Sequence, residues 1–211
     1  MKQPKPKKCK NPSCGKVFTP NFKLQRVCSV DCAYQLARIE SDKKQAKEAK
    51  VQKAEMKESI KSLSDYKNDL QREVNLIARL IDQDCPCVSS GRSSGKMSGG
   101  HRLAVGGWGS LRFHLMNIWI QSFHDNHHLS GNPSGYDVFL RANDIYGIVH
   151  DLPKMYPFIK LQKGDLKEKI VIARQIVKDV KELNMYDDLP RNADLRIEMR
   201  VKYNKLLGIY T

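Results

Sequence analysis

The sequence predicts an α+β protein with a metal-stapled N-terminus, and three observations carry that expectation. Four of the six cysteines fall between residues 9 and 32. A Lys/Glu/Ala/Gln-rich stretch without glycine or proline follows them. Nine of the thirteen glycines and five of the six histidines then crowd into residues 85–140. The expected order is a basic four-cysteine module over 1–34, a helical arm over 35–82, a small ββα core over 83–140 and a C-terminal helical region over 141–211.

Cys9, Cys14, Cys28 and Cys32 stand in two close pairs, C-x4-C and C-x3-C, thirteen residues apart. Each pair forms a knuckle, and a short hairpin between them brings four thiolates to one tetrahedral zinc. A module this small buries too little to fold without its metal. Four thiolates leave no open coordination position, so the zinc is expected to be structural. The competing reading is four unrelated thiols, the spacings being wider than the commonest C-x2-C.

Charge points to polyanions. The net charge is +14, and residues 1–34 hold eight Lys/Arg against the single acid Asp31. Neutralising phosphates releases condensed counterions, so such a field favours nucleic acid. Acidic membranes attract it too, and a basic tail also serves solubility. Lys7, Lys8, Lys10, Lys16, Lys23 and Arg26 are the phosphate-contact candidates on the zinc module, with Arg102 and Arg112 in the core. No apolar run approaches a membrane span, and no hydrophobic stretch follows the basic start. The expectation is a cytosolic protein with reduced thiols.

Along the arm, residues 34–61 have high helix propensity and few large apolar residues, which suits a solvated helix. Ser62 or Ser64 is placed to cap the next stretch, where Leu63, Tyr66, Leu70, Val74, Ile77 and Ile81 form one apolar stripe. In the glycine-rich segment, HRLAV and SLRFHL read as strands joined across Gly106–Gly109, the glycines permitting tight turns and close approach of a DNA backbone. Farther on, Leu166, Ile170, Ala173, Ile176, Val177 and Val180 form a second stripe. Leu195, Met199, Tyr203 and Leu206 form a third, with Pro190 placed to begin its helix.

The histidines suggest chemistry. A hairpin followed by a helix puts His101 on the first strand and Asn117 in the loop after the second. His124 and His128, four apart, share a helix face and suit one divalent ion. This is the layout of an HNH-like ββα-metal nuclease, in which a histidine deprotonates water and an ion stabilises the leaving oxygen. An asparagine then orients the histidine. The bland alternative is a satisfied structural histidine on a strand. His114, His127 and His150 read as bystanders, and Cys85 and Cys87 as buried thiols.

The residues also carry a resemblance. "FTP…VCSVDCA", "PCVSSG", "GGH", "LRF", "NIWIQSFHDNHHLSGN" and the following Tyr136 resemble the NinG/Rap family of phage recombination proteins over about residues 9–140. The resemblance implies cleavage of Holliday junctions and D-loops with Mg2+ or Mn2+, in the cytoplasm of a bacterial host. Carried over, it makes His101, Asn117 and Asn126 catalytic and His124, Asp125 and His128 the ligands of the catalytic ion. Gly131 and Asn132 are expected to shape the turn that ends the helix. Many relatives carry two further zinc-binding cysteine pairs at the core. Here those positions are Cys87 with Ser90 and Ser122 with Asp125, so no second zinc is expected. Ser98 stands where relatives often have an acid, and Asp125 is the nearest candidate replacement.

Symmetric junction cutting implies a homodimer, with the helices at 62–82 or 165–207 as its interface. The alternatives are a non-catalytic zinc-containing DNA-binding accessory protein and an RNA-binding zinc protein.

Overall fold

Two short strands and one long polar helix belong to the first of two units. A computed structural model describes residues 5–186 and 192–210, and the chain divides at Lys61/Ser62. In unit one, β1 (Lys7–Lys8) pairs antiparallel with β2 (Val17–Phe18), Lys7 opposite Phe18. Helix α1 (Val30–Ser59) starts at Ser29, whose hydroxyl accepts from the Cys32 amide. Asp31 in its first turn and Lys57 in its last suit the helix dipole. Cys32 is its only buried residue, so α1 is a solvated helix held by propensity and surface pairs. It begins inside the cysteine module rather than after it.

Unit two is built on α2 (Leu63–Ile81). Ser62 and Asp65 form a reciprocal capping box, the Ser62 hydroxyl accepting from the Asp65 amide and the carboxylate from the Ser62 amide. The stripe Tyr66, Leu70, Val74, Ile77, Ala78 and Ile81 is buried, while Leu63, expected in it, lies at the exposed first turn. One side of α2 receives α6 (Lys163–Tyr186), whose stripe Leu166, Ile170, Ala173, Ile176, Val177 and Val180 is buried throughout. Another side receives a hairpin of β3 (Met97–His101) and β4 (Ile118–Ser122), with Met97 opposite Ser122 and His101 opposite Ile118.

After β4 come α3 (Phe123–His128), α4 (Pro133–Ala142), α5 (Tyr146–Met155) and, beyond α6, α7 (Ala193–Leu207). Asn192 caps α7; Pro190, expected to begin it, lies outside the described residues. Met199, Tyr203 and Leu207 are its buried stripe, with Leu206 half exposed. Among the described residues no helix is long and apolar enough to cross a membrane.

The strands differ from the expected ones. HRLAV contributes only His101, and SLRFHL makes tight 3-10 turns at Gly109–Leu111 and Leu115–Asn117. Asn117 therefore precedes the second strand rather than following it. The real second strand, IWIQS, is buried at every position. A strand covered on both faces shows no alternation, which is why its pattern resembles core rather than strand.

The glycines of β3 serve internal packing rather than DNA approach. A Cβ on Gly99 would sit 3.2 Å from the Asn75 Cα of α2, and one on Gly100 would sit 2.1 Å from the Gln121 side-chain oxygen. The strand is thus laid against α2 on one face and against its neighbour's side chain on the other.

Asp82, at the end of α2, ties this unit together. It is fully buried and accepts from the Ile120 amide of β4 at 2.7 Å, Arg200 at 2.7 Å and Arg196 at 2.8 Å. Arg200, also fully buried, donates to the Leu115 and Ile118 carbonyls and lies over the Trp119 ring at 3.6 Å. Burial alone would raise the Asp82 pKa, but Arg200 and Arg196 outweigh it and hold it below the ordinary carboxylate value. Asp82→Ala strands two buried guanidinium groups and is expected to cost about 3–5 kcal/mol, read by urea unfolding. Because the folded pKa is depressed, this contribution is complete above the unfolded carboxylate value of about 3.9 and is lost as pH falls through the folded one. An acid titration in which Asp82→Asn and the parent lose stability identically would contradict it.

Candidate metal centre and hairpin site

The four cysteines of unit one meet. Their sulfurs all lie within 4.8 Å of one another, with Cys14–Cys28 at 3.6 Å and Cys28–Cys32 at 3.7 Å. Tetrahedral zinc with Zn–S bonds of about 2.3 Å requires sulfurs about 3.8 Å apart, so the cluster fits the ion. The knuckle is formed locally. The Cys9 amide bonds the Lys16 carbonyl, and the Cys14 and Gly15 amides bond the Asn11 carbonyl. Asn11 is itself buried, receiving the Ser13 amide and donating to Gln35 of α1. The thiols cannot all ionise unaided. Hydrogen bonding with Cys14 pushes Cys28 up to about 12, while the Ser29 hydroxyl brings Cys32 down to about 6. A bound cation supplies what four adjacent thiolates lack. Around it, Lys8, Lys10, Lys16, Lys23 and Arg26 are exposed. Lys7 donates to the Lys23 carbonyl, and Arg26 pairs with Glu40 at 2.8 Å.

In unit two, β3, β4 and α3 follow one another as hairpin and helix. His101 ends β3 as the chain turns, and its Nε2 lies 2.9 Å from the Arg112 carbonyl oxygen. A carbonyl only accepts, so Nε2 carries the proton and Nδ1 keeps its lone pair. Burial lowers the His101 pKa, the nearby Arg112 guanidinium lowers it further, and the carbonyl contact only partly offsets them. The imidazole is therefore neutral at neutral pH.

Asn117 is fully buried, and its side chain makes no hydrogen bond to His101. Its Oδ1 accepts from the Leu103 amide, and its Nδ2 donates to the Leu103 and Leu111 carbonyls. It fixes the backbone that follows His101 instead of the ring. Arg102, expected to contact DNA, is clamped to Asp137 of α4 through both guanidinium edges, at 2.5 and 2.7 Å. Asn126 donates to the Ser98 hydroxyl at 3.2 Å.

The proposed ion ligands are only partly gathered. His124 Nδ1 lies 3.5 Å from Asp125 Oδ1, and the His124 and His128 rings are 5.6 Å apart. Among the described residues the cysteine cluster is the sole group of three or more metal-ligating side chains, so His101, His124, Asp125 and His128 do not form one. Asp125 is nearly fully buried. Its other oxygen, Oδ2, accepts from Ser89 at 2.8 Å and from the Cys87 thiol at 3.5 Å.

That network includes Cys87, Ser122 and Asp125, positions the resemblance singles out as core cysteine sites in relatives. The Ser122 amide donates to Cys87 sulfur, and the Asp125 amide to the Ser122 hydroxyl. Burial would raise the Asp125 pKa, but the Ser90, Ser89 and Ser122 hydroxyls hold it well below the usual carboxylate range. One carboxylate and its donors thus fasten the turn at 87–90 to the start of α3.

Ser89 and Gln121 were not legible as site residues, yet both anchor the LSGN turn. Gln121 donates to the Ser89 hydroxyl and the Gly131 carbonyl, and Asn132 donates to the Ser89 carbonyl. Ser130, Gly131 and Asn132 all have positive φ, 51°, 84° and 43°. The next helix begins on Asn132, and a Cβ at Gly135 would lie 2.0 Å from the Ser89 carbonyl oxygen. Gly131 and Asn132 thus shape the turn, as expected. Tyr136 completes it by donating to the Gly100 carbonyl beside His101. His114 is a buried core residue against Tyr156 and Tyr210, and His127 stacks on Phe123.

These features define an α+β protein with an N-terminal four-cysteine cluster able to hold a metal ion and a hairpin–helix core. The family described as Bacteriophage Lambda NinG protein matches residues 1–183, and the chain belongs to this NinG family of phage recombination-related proteins. The match runs well beyond residue 140, where the motif resemblance ends, and into α6. Protein ninG of Escherichia phage lambda is 32% identical over 155 residues, 66% of this chain and 76% of that protein. Protein ninG of Salmonella phage P22 is 31% identical over 149 residues, 64% of this chain and 73% of its own length. No solved structure matches.

With one thiolate cluster and a core closed by hydrogen bonds, purified protein is expected to carry one zinc per chain by elemental analysis. Cys14→Ser should lower that content, and Cys87→Ser should leave it unchanged. Two zincs per chain would place a second metal where the Asp125 network stands.

Proposed function

We propose that this protein is a structure-selective endonuclease that hydrolyses branched recombination intermediates, Holliday junctions and D-loops, with Mg2+ or Mn2+. The observation that carries the reading is the His101 tautomer. Its proton is committed to the Arg112 carbonyl, and the free Nδ1 lone pair ends a strand in a hairpin–helix frame. A neutral, partly buried imidazole of lowered pKa suits a general base toward water.

The chain's own contributions follow from the bonds around it. Asn117 holds the turn after His101, Tyr136 holds the carbonyl before it, and the Arg102–Asp137 clamp fixes α4 against both. His124 and the Asp125 oxygen facing it are the pair that would hold a divalent ion. Mg2+ commonly takes one or two protein ligands and completes its shell with water and phosphate oxygens. When bound, such an ion would stabilise charge on the leaving oxygen. Branch selectivity would come from shape and backbone contacts rather than base edges.

A second reading is favoured by one observation. His101 shares no ligand cluster with His124, Asp125 and His128, as expected for a non-catalytic DNA-binding accessory protein. One experiment separates the two: incubation with a synthetic four-way junction and matched linear duplex, in Mg2+, Mn2+ or EDTA. Metal-dependent cutting of the junction is expected. His101→Ala, with zinc content intact, is expected to lose at least about 100-fold in rate. Single-turnover rate should rise with pH to a plateau whose midpoint lies below the ordinary histidine value of about 6.5. Tight junction binding without cutting in either metal would leave the accessory reading standing.

A further inference from the structure

Unit two contains a cavity of about 110 Å³ lined by Lys67 of α2, by Val105, Gly109, Ser110, Arg112 and Phe113 of the segment between the strands, and by Ile159 and Leu161 ahead of α6. One water needs roughly 10–15 Å³ of such space, so the cavity has room for a phosphate group. Two of its lining residues are cations, and none is an acid.

Among the described residues those cations have no acidic partner. Arg112 donates to two neutral amides of α2, Gln71 Oε1 at 3.2 Å and Asn68 Oδ1 at 2.7 Å, and forms no ion pair among the described residues. Lys67 is half-buried and likewise has no carboxylate partner among them. A partly desolvated guanidinium is ordinarily matched by an acid, since burying unpaired charge is costly. Here amides fix the group's direction while leaving its charge free. The Ser110 hydroxyl makes no hydrogen bond within the described residues and adds a donor at the same wall.

We propose that this cavity is a preformed phosphate-binding subsite for a DNA strand, with Lys67 and Arg112 supplying the charge and Ser110 a hydrogen bond. The apolar wall of Val105, Phe113, Ile159 and Leu161 suits the adjoining deoxyribose. Arg112 then serves two groups. Its guanidinium faces the bound phosphate, and its carbonyl oxygen holds His101 Nε2. Seating a phosphate here therefore fixes the loop that orients the imidazole. Assigning that phosphate to DNA rests on the function proposed above; the charge of the cavity does not.

The test is fluorescence anisotropy of the full-length zinc-loaded protein on a labelled four-way junction and on a labelled linear duplex, across a salt series. Lys67→Gln keeps the aliphatic stem and removes the charge. It should weaken both DNAs severalfold and reduce the slope of log Kd against log salt by about 1. Lys67→Arg should restore the slope, and Lys178→Gln, an exposed charge on α6, should leave it nearer the parent value. Arg112→Gln should act like Lys67→Gln, with urea unfolding run alongside because Arg112 also braces α2. Parent-like slopes in Lys67→Gln, or failure of the parent protein to bind either DNA, would overturn the assignment. Binding with the expected slope changes but without cleavage in any metal would retain the subsite and discard the endonuclease.

Discussion

The Asp82 carboxylate is the point on which the core of this protein depends. It sits at the end of α2, where a helix would ordinarily expose its last carbonyls, and turns inward to meet an amide of β4 and two arginines of α7. Neither the hairpin nor the C-terminal helix could bury its polar groups there alone. β4 has carbonyls to satisfy, Arg200 has five N–H donors and no exposure, and Asp82 is an unpaired anion without them. Together they close most of one another's hydrogen bonds. The segment that carries the family's motifs is thereby held in register by residues more than a hundred positions apart.

Around that anchor the candidate site is arranged by backbone contacts more than by side-chain pairs. His101 is oriented by a carbonyl, Asn117 acts on Leu103 and Leu111, and Tyr136 reaches the Gly100 carbonyl. Three successive positive-φ residues, Ser130 to Asn132, give the LSGN turn its path. Such geometry is uncommon outside glycine and persists where neighbours over-determine it. Ser89 and Gln121 do so here.

The helical parts were the most legible. A period of three and four residues in α2 and α6 names the buried face nearly residue by residue, because one side of a helix meets the core. The cysteine spacing likewise gives the cluster, since four thiols at two knuckles have few other ways to meet. The hairpin was misplaced for a physical reason. β4 is covered on both faces and so loses the alternation that marks a strand, while SLRF is spent in tight turns. The glycines of GGH suggested an open surface but are required by Asn75 and Gln121 at close range. Arg196 and Arg200 gave no signal, because a lone arginine on a helix reads as solvated surface until its partner is known. Lys67 was hidden likewise, as it gains meaning only beside Arg112.

The Ser89–Asp125 network gives the two units different chemical dependence. This chain closes the turn at 87–90 with a carboxylate, hydroxyls and one thiol, groups that need no ion from the surroundings. The turn at 87–90 is thus fastened to the start of α3 by hydrogen bonds. Among the described residues, only the four thiols of the basic N-terminal module are gathered closely enough to hold a metal ion. Were zinc held by those thiols, its scarcity in a cell or its removal by a chelator would loosen the cysteine cluster and leave the Ser89–Asp125 contacts in place.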